Sequence, residues 1–177
     1  MEQTVPSSNP TATPAYAGFW WRFLAYLIDD IILSFASAIV LIPIWAVMGF
    51  GIFAAGKWEG IDWDFDSGVD PSAWGFIGSI IGLSLLTALL AVAIEWLYFS
   101  LMESSKYQAT LGKMAVSARV TDLEGNRISF ARATGRFFGK IISGMILMIG
   151  YIMAGFTEKK QALHDMMAGT LVIREPR

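Results

Sequence analysis

The chain has 177 residues, 55% of them hydrophobic and only 16% charged, with a formal net charge of −2. This composition excludes an ordinary soluble domain and points to one membrane domain. There is no cysteine and a single histidine, which excludes disulfide, thiol and iron–sulfur chemistry as well as a multi-histidine metal site.

Residues 1–17 (MEQTVPSSNPTATPAYA) are rich in Pro, Ser and Thr and carry no basic residue. A secretory signal has a basic stretch ahead of a short apolar core, so this segment is expected to be a disordered tail and the next one a true span. Residues 18–53 make up most of that span, which is expected to end near Gly56. Its part 31–53 has no charge and exceeds the roughly 20 apolar residues that cross a bilayer. Trp20, Trp21 and Arg22 suit the point of entry, and Pro43 predicts a kink. Arg22, Asp29 and Asp30 are the anomaly, because a charge at the centre of a membrane helix costs roughly 2.5–3.5 kcal/mol on insertion scales.

The loop 57–72 sets Glu59, Asp62, Asp64, Asp66 and Asp70 against Lys57. It lacks the positive charge that holds loops in the cytoplasm, so it is expected outside, with Trp58, Trp63 and Trp74 in the outer aromatic belt. Asp62, Asp64 and Asp66 imitate the start of a calcium loop. However, Ser67 and Ala73 stand where an EF-hand needs Gly and Glu, which leaves a solvated acidic loop.

A second span covers 73–102. Gly78 and Gly82 form a G-x-x-x-G, read either as a close helix contact or as chance. Glu95 lies 21 residues after Trp74, about 31 Å along a helix, which brings it near the inner interface at the level of Arg22.

Residues 103–140 are basic: Lys106, Lys113, Arg119, Arg127, Arg132, Arg136 and Lys140 face only Glu103, Asp122 and Glu124. The charge rule puts this segment in the cytoplasm. Residues 114–121 alternate apolar and polar, 122–126 read as a turn, and 127–129 return, which predicts a small β-hairpin. Ser129 suits the cap of a helix starting at Phe130. Lys113 sits in L-G-K without the glycine-rich run or the following Ser or Thr of a phosphate loop, so nucleotide binding is not expected. Lipid phosphate or a backbone carbonyl are its candidate contacts.

The third apolar segment, 141–156, has 16 residues and is interrupted by Gly144, Gly150 and Gly155. Its length falls between a re-entrant element and a full span. Arg136 and Lys140 precede it, and Lys159 and Lys160 follow. A single crossing would put the latter pair outside, against the charge rule. A re-entrant form keeps both ends inside but needs shielding from lipid by protein. The charge pattern favours re-entry and leaves crossing open. In the tail, 158–167 suit a helix, Gly169 its C-cap, and 170–173 a β-type run that could pair with the hairpin.

Four stretches carry a resemblance: A-G-F-W-W-R-F-L-A-Y-L-I-D-D at the first span, Q-A-T-L-G-K-M-A-V-S-A-R-V-T-D-L-E-G-N-R-I-S after the second, A-R-A-T-G-R-F before the third, and Q-A-L-H-D-M-M-A-G-T-L-V-I at the end. In order and spacing the chain resembles the RDD family of small bacterial membrane proteins, named for one Arg and two Asp. Carried over, the Arg is Arg22, the first Asp is Asp29 and the second is Asp165, not the adjacent Asp30. The resemblance implies a multi-pass protein of the bacterial cytoplasmic (inner) membrane that is suspected of transport, with cation/proton antiport proposed for some members. It implies no substrate.

Arg22 and Asp29 are seven residues apart, on nearly the same helix face and about 10.5 Å along the axis. Asp29 reads either as a proton or cation carboxylate or as half of a structural ion pair. The candidate cluster is Arg22, Asp29 and Asp165 with Glu95. Asp30, His164 and Lys113 are secondary. His164 beside Asp165 suggests a catalytic dyad, but no nucleophile motif such as G-x-S-x-G accompanies it, so an enzyme is not expected.

The expected architecture is an all-α integral membrane protein. It has two long transmembrane helices, a third short or re-entrant membrane segment and a small cytoplasmic β-hairpin, with 1–17 as tail and 18–177 as one membrane domain. The expected function is a small transporter exchanging cations for protons through buried carboxylates. The alternative is a non-transporting assembly or scaffold factor that acts through its basic cytoplasmic region. The expected partners are the lipid bilayer, monovalent cations and protons. Further copies of the chain join them in a homo-oligomer, since two or three segments rarely enclose a pathway. No nucleic acid, metal or cofactor is expected.

Overall fold

A computed structural model describes residues 15–54, 71–146 and 149–174. The tail 1–14 and most of the acidic loop, with Trp58, Trp63 and the Asp62, Asp64 and Asp66 run, lie outside the described residues. In chain order the elements are β1 (Ala15–Tyr16), α1 (Phe19–Ala54), α2 (Pro71–Glu103), α3 (Leu111–Ala115), β2 (Ala118–Asp122), α4 (Phe130–Met145), α5 (Ile149–Ile152), a 3-10 turn (Met153–Gly155), α6 (Leu163–Ala168) and β3 (Thr170–Arg174). The chain divides into two compact units, Met1–Ile28 with Phe99–Arg177, and Asp29–Tyr98.

The unit Asp29–Tyr98 contains most of the two long helices. The stretches Phe19–Gly51 and Ile77–Glu103 are long and apolar enough to cross a membrane. In lipid a backbone must satisfy its own N–H and C=O groups, and a continuous helix does so. α1 runs through Pro43. Phe35, Ile39, Val47, Phe50, Leu85 and Leu89 are exposed, which suits a surface whose solvent is lipid. Thr87 meets the same demand by donating its hydroxyl to the Leu83 carbonyl at 2.9 Å. A Cβ on Gly78 or Gly82 would meet nothing within 4 Å among the described residues.

The other unit is built on a three-stranded antiparallel sheet of order β1-β3-β2. Ala15 pairs with Arg174 and Tyr16 with Ile173. Ala118 through Asp122 pair with Arg174 through Thr170. The strand after α2 therefore pairs with the C-terminal run, not with residues 127–129. The expected turn does form: the Asp122 carboxylate accepts from the backbone of Glu124 at 3.1 Å and of Asn126 at 2.7 Å, and Gly125 takes φ +88°. The returning chain is then used otherwise. Ile128 is buried and Ser129 caps α4, accepting from Arg132 N at 3.2 Å. β2 also starts later than the alternation predicts, because Thr110 caps the short helix α3 and Ser117 takes φ +57° before the strand. Residues ahead of 18 already belong to the fold: Ala17 is fully buried and its N–H donates to Val172 O at 2.9 Å.

Small side chains let these layers approach. Ala17, Ala25, Val116, Ala118, Val120, Ile128, Ala133 and Val172 form one buried cluster. The third apolar segment is broken: α4 and the following short helical stretch meet at 115°. Its second part folds back on α4. A Cβ on Gly150 would lie 2.7 Å from Ser143 Cβ, and the Tyr151 hydroxyl donates to Lys140 O at 3.0 Å. α6 crosses α4 at Gly139, where a Cβ would lie 3.0 Å from His164 Cβ. The tail helix is shorter than the pattern suggests, starting at Leu163, and Gly169 ends it at φ +60°.

Candidate functional site

The charged side chains of the sheet-containing unit meet in one buried network. Asp165 stands in the first turn of α6, where its carboxylate accepts from Ala162 N at 3.1 Å and suits the positive end of the helix. Its Oδ1 accepts from Arg136 Nε at 2.8 Å and Nη2 at 2.7 Å. Its Oδ2 pairs with Arg22 Nη1. Four donors thus fill the roughly four acceptor positions of a carboxylate. Arg22 also bonds backbone, giving Nε to Ala17 O at 2.8 Å and Nη2 to Lys160 O at 2.6 Å. Arg22 and Asp165 therefore tie the start of α1 to the tail.

Arg136, on α4, extends the network to the end of α2. Its Nη1 donates to Glu103 Oε2 at 2.8 Å. Glu103 Oε1 pairs with Lys113 Nζ and lies 3.8 Å from Lys140 Nζ. Lys140 Nζ also sits 3.6 Å from the centre of the Phe99 ring, a cation–π distance. Arg136, Glu103 and Asp165 are fully buried, so the network holds two carboxylates against four cations.

Environment sets the protonation of its outer members. Burial alone would raise Asp165, but Arg136 and then Arg22 hold its carboxyl well below the usual range. Burial pushes the His164 imidazole down to about 3, more than Asp165 offsets. His164 is therefore neutral, and its 3.5 Å approach to Asp165 is not an ion pair. Burial pushes the Lys113 ammonium down to about 7 against the pull of Glu103, with Arg136 and Lys140 adding to the effect.

The model of the RDD family matches residues 16–169. The chain belongs to the RDD family. It is 38% identical over 158 residues to "Uncharacterized protein YxaI" of Bacillus subtilis (strain 168), covering 89% of this chain and 96% of that protein. It is 29% identical over 176 residues to "Uncharacterized membrane protein YteJ" of the same organism, covering 96% and 88%. No solved structure gives a significant match.

Of the three residues assigned to the RDD signature, Arg22 and Asp165 are brought together. Asp29 belongs to the other compact unit, where its buried carboxylate accepts from the Tyr98 hydroxyl at 2.7 Å. Glu95 is half-buried and Asp30 exposed, both in that same unit. His164 packs against α4, 3.4 Å from Ser143 Oγ, with its ring 5.2 Å from that of Tyr151. Lys113 joins the network through Glu103.

Sequence reasoning missed Arg136 and Glu103, the two residues that join the halves of the network. In the sequence both read only as charges that decide the side of a segment. The available signal was local. Arg136 lies in the R-A-T-G-R-F stretch of the RDD resemblance, and Glu103 is a carboxylate at the very end of an apolar helix. Among the described residues no group of three or more His, Asp or Glu is placed to hold a metal ion.

Proposed function

We propose that this RDD protein exchanges monovalent cations for protons across the bacterial cytoplasmic membrane, with Asp29 as the carboxylate that meets the ion. The observation that carries this reading is the position of Asp29: it is 1% exposed inside a membrane-crossing helix and held by a hydroxyl of the second one. Carboxylates kept at such positions mark ion and proton paths by default. Asp165 is not the ion site in this reading, because arginines and a backbone amide already occupy its acceptor positions.

The sheet supports the accompanying topology. β1 precedes α1, β2 follows α2, and β3 follows the third apolar segment. Strands of one sheet share one side of a membrane, so each intervening stretch of chain crosses an even number of times. α1 and α2 give two crossings. The segment between β2 and β3 then enters and returns, in line with α5 folding back on α4. The basic residues of 103–140 assign this side to the cytoplasm. Two spans and a re-entrant segment do not enclose a pathway, so the working form is a homo-oligomer.

Purified protein in sealed vesicles tests the function. Imposed sodium, potassium or proton gradients produce coupled flux above that of empty vesicles, Asp29→Asn abolishes it, and Tyr98→Phe reduces it. Flux that never exceeds the empty-vesicle level in any gradient contradicts the proposal. That outcome favours the scaffold reading, for which the filled acceptor positions of Asp165 already speak.

A further inference from the structure

We infer that Lys113 is the group of the charged network that takes up and releases a proton, an inference that rests on the exchange reading for its use in transport. The pairing pattern narrows the choice to the two lysines. Arg22 and Arg136 keep their protons at any working pH. Asp165 accepts from both arginines and from Ala162 N. Glu103 is shared by Arg136, Lys113 and Lys140. Four cations on two carboxylates leave the network with a surplus of positive charge, and releasing one proton relieves part of it.

Release from Lys113 gives up its direct bond to Glu103 but leaves that carboxylate paired. The groups that face its ammonium are Glu103 from α2 and Arg136 and Lys140 from α4, two cations against one carboxylate. When Lys113 becomes a neutral amine, Glu103 keeps Arg136 at 2.8 Å and Lys140 at 3.8 Å, so no carboxylate is stranded. Lys140 has a reason to keep its own charge in the Phe99 ring and in its greater side-chain exposure, 17% against 10% for Lys113. The Lys113 side chain keeps 10% exposure, and water is the acceptor in the proposed step. In that step the N–H bond electrons stay on Nζ as a lone pair, the proton goes to water, and the network loses one positive charge. The burial that lowers the Lys113 ammonium to about 7 puts the exchange in the physiological range, whereas neutral His164 has no proton to give there.

The test is a pH titration of lysine side chains by NMR on the full-length protein carrying isotope-labelled lysine in lipid nanodiscs. One lysine signal titrates near neutral pH, disappears in Lys113→Arg and persists in Lys140→Arg. Lys113→Met provides the same assignment should the arginine variant not fold. If every lysine titrates near its ordinary value of about 10.4, the inference is overturned. Vesicle flux separates this from the exchange reading. Flux in wild-type protein with no lysine titrating near neutrality removes Lys113 and leaves exchange standing. A neutral-range titration without flux upholds the proton site and removes exchange.

Discussion

Arg136 is the residue on which the network turns. It is fully buried and bonds Asp165 and Glu103 with one planar guanidinium. Removing one partner of a buried ion pair leaves an uncompensated charge, typically at 3–5 kcal/mol. Arg136→Met is therefore expected to lower the thermal midpoint of the detergent-solubilised protein sharply, and Arg136→Lys to rescue little, because one ammonium lacks the fork that serves two carboxylates. Acid acts through the neighbours. The His164 pKa is depressed from 6.5 to about 3, so as pH falls below about 6.5 the unfolded chain binds a proton that the folded chain refuses, and stability drops. Asp165, also depressed, adds its loss only as pH falls below its ordinary value of 3.8. A thermal-shift series should show the midpoint falling between pH 7 and 4, and His164→Gln should flatten that fall. Lys113 works at the other end. Between about 7 and 10.5 the unfolded chain holds the proton that the folded one releases, so stability rises across that window, and Lys113→Met removes the rise.

At the scale of elements, the packing of α5 on α4 depends on one missing side chain. A Cβ on Gly150 would meet both Ser143 Cβ and its Cα at under 3 Å, and backbone does not give way as a flexible side chain does. Gly150→Ala is expected to cost about 1–3 kcal/mol, the usual range for overpacking, read as a lower thermal midpoint. Gly144→Ala, which meets nothing within 4 Å, is the matched control and should leave the midpoint in place. The two long helices, the Ser129 cap and the Gly169 cap were legible because each rests on residues within one or two turns of chain, whereas the short α3 was not read. The partner of β2 was not. Alternation over 114–121 reports a half-buried strand but not what it pairs with, and β3 lies some fifty residues further on. The turn at 122–126 pointed to the nearer partner, which α4 needs for its own start. The network was half legible for the same reason. The RDD resemblance led to Arg22 and Asp165, whereas Arg136 and Glu103 look in sequence like any charge on an amphipathic helix or at a helix end.

For the whole molecule, three segments far apart in sequence are joined twice over, by the sheet and by the charged network. Residues 15–16, 118–122 and 170–174 form one sheet, and Arg22, Glu103, Lys113, Arg136 and Asp165 form one chain of ion pairs. On the proposed topology, everything joined in this way lies on the cytoplasmic side, and α1 with α2 forms the only pair of full crossings. The most direct measurement is single-cysteine labelling in intact cells and in inverted vesicles, which is clean because the native chain has no cysteine. The exposed positions Ala15, Leu123 and Glu158 serve as sites, with Ser67 between the two spans as the opposite-side marker. The expected result is that Ala15→Cys, Leu123→Cys and Glu158→Cys label only in inverted vesicles and Ser67→Cys only in intact cells. Labelling of Leu123→Cys and Glu158→Cys from opposite sides would contradict the returning third segment and the joined cytoplasmic face.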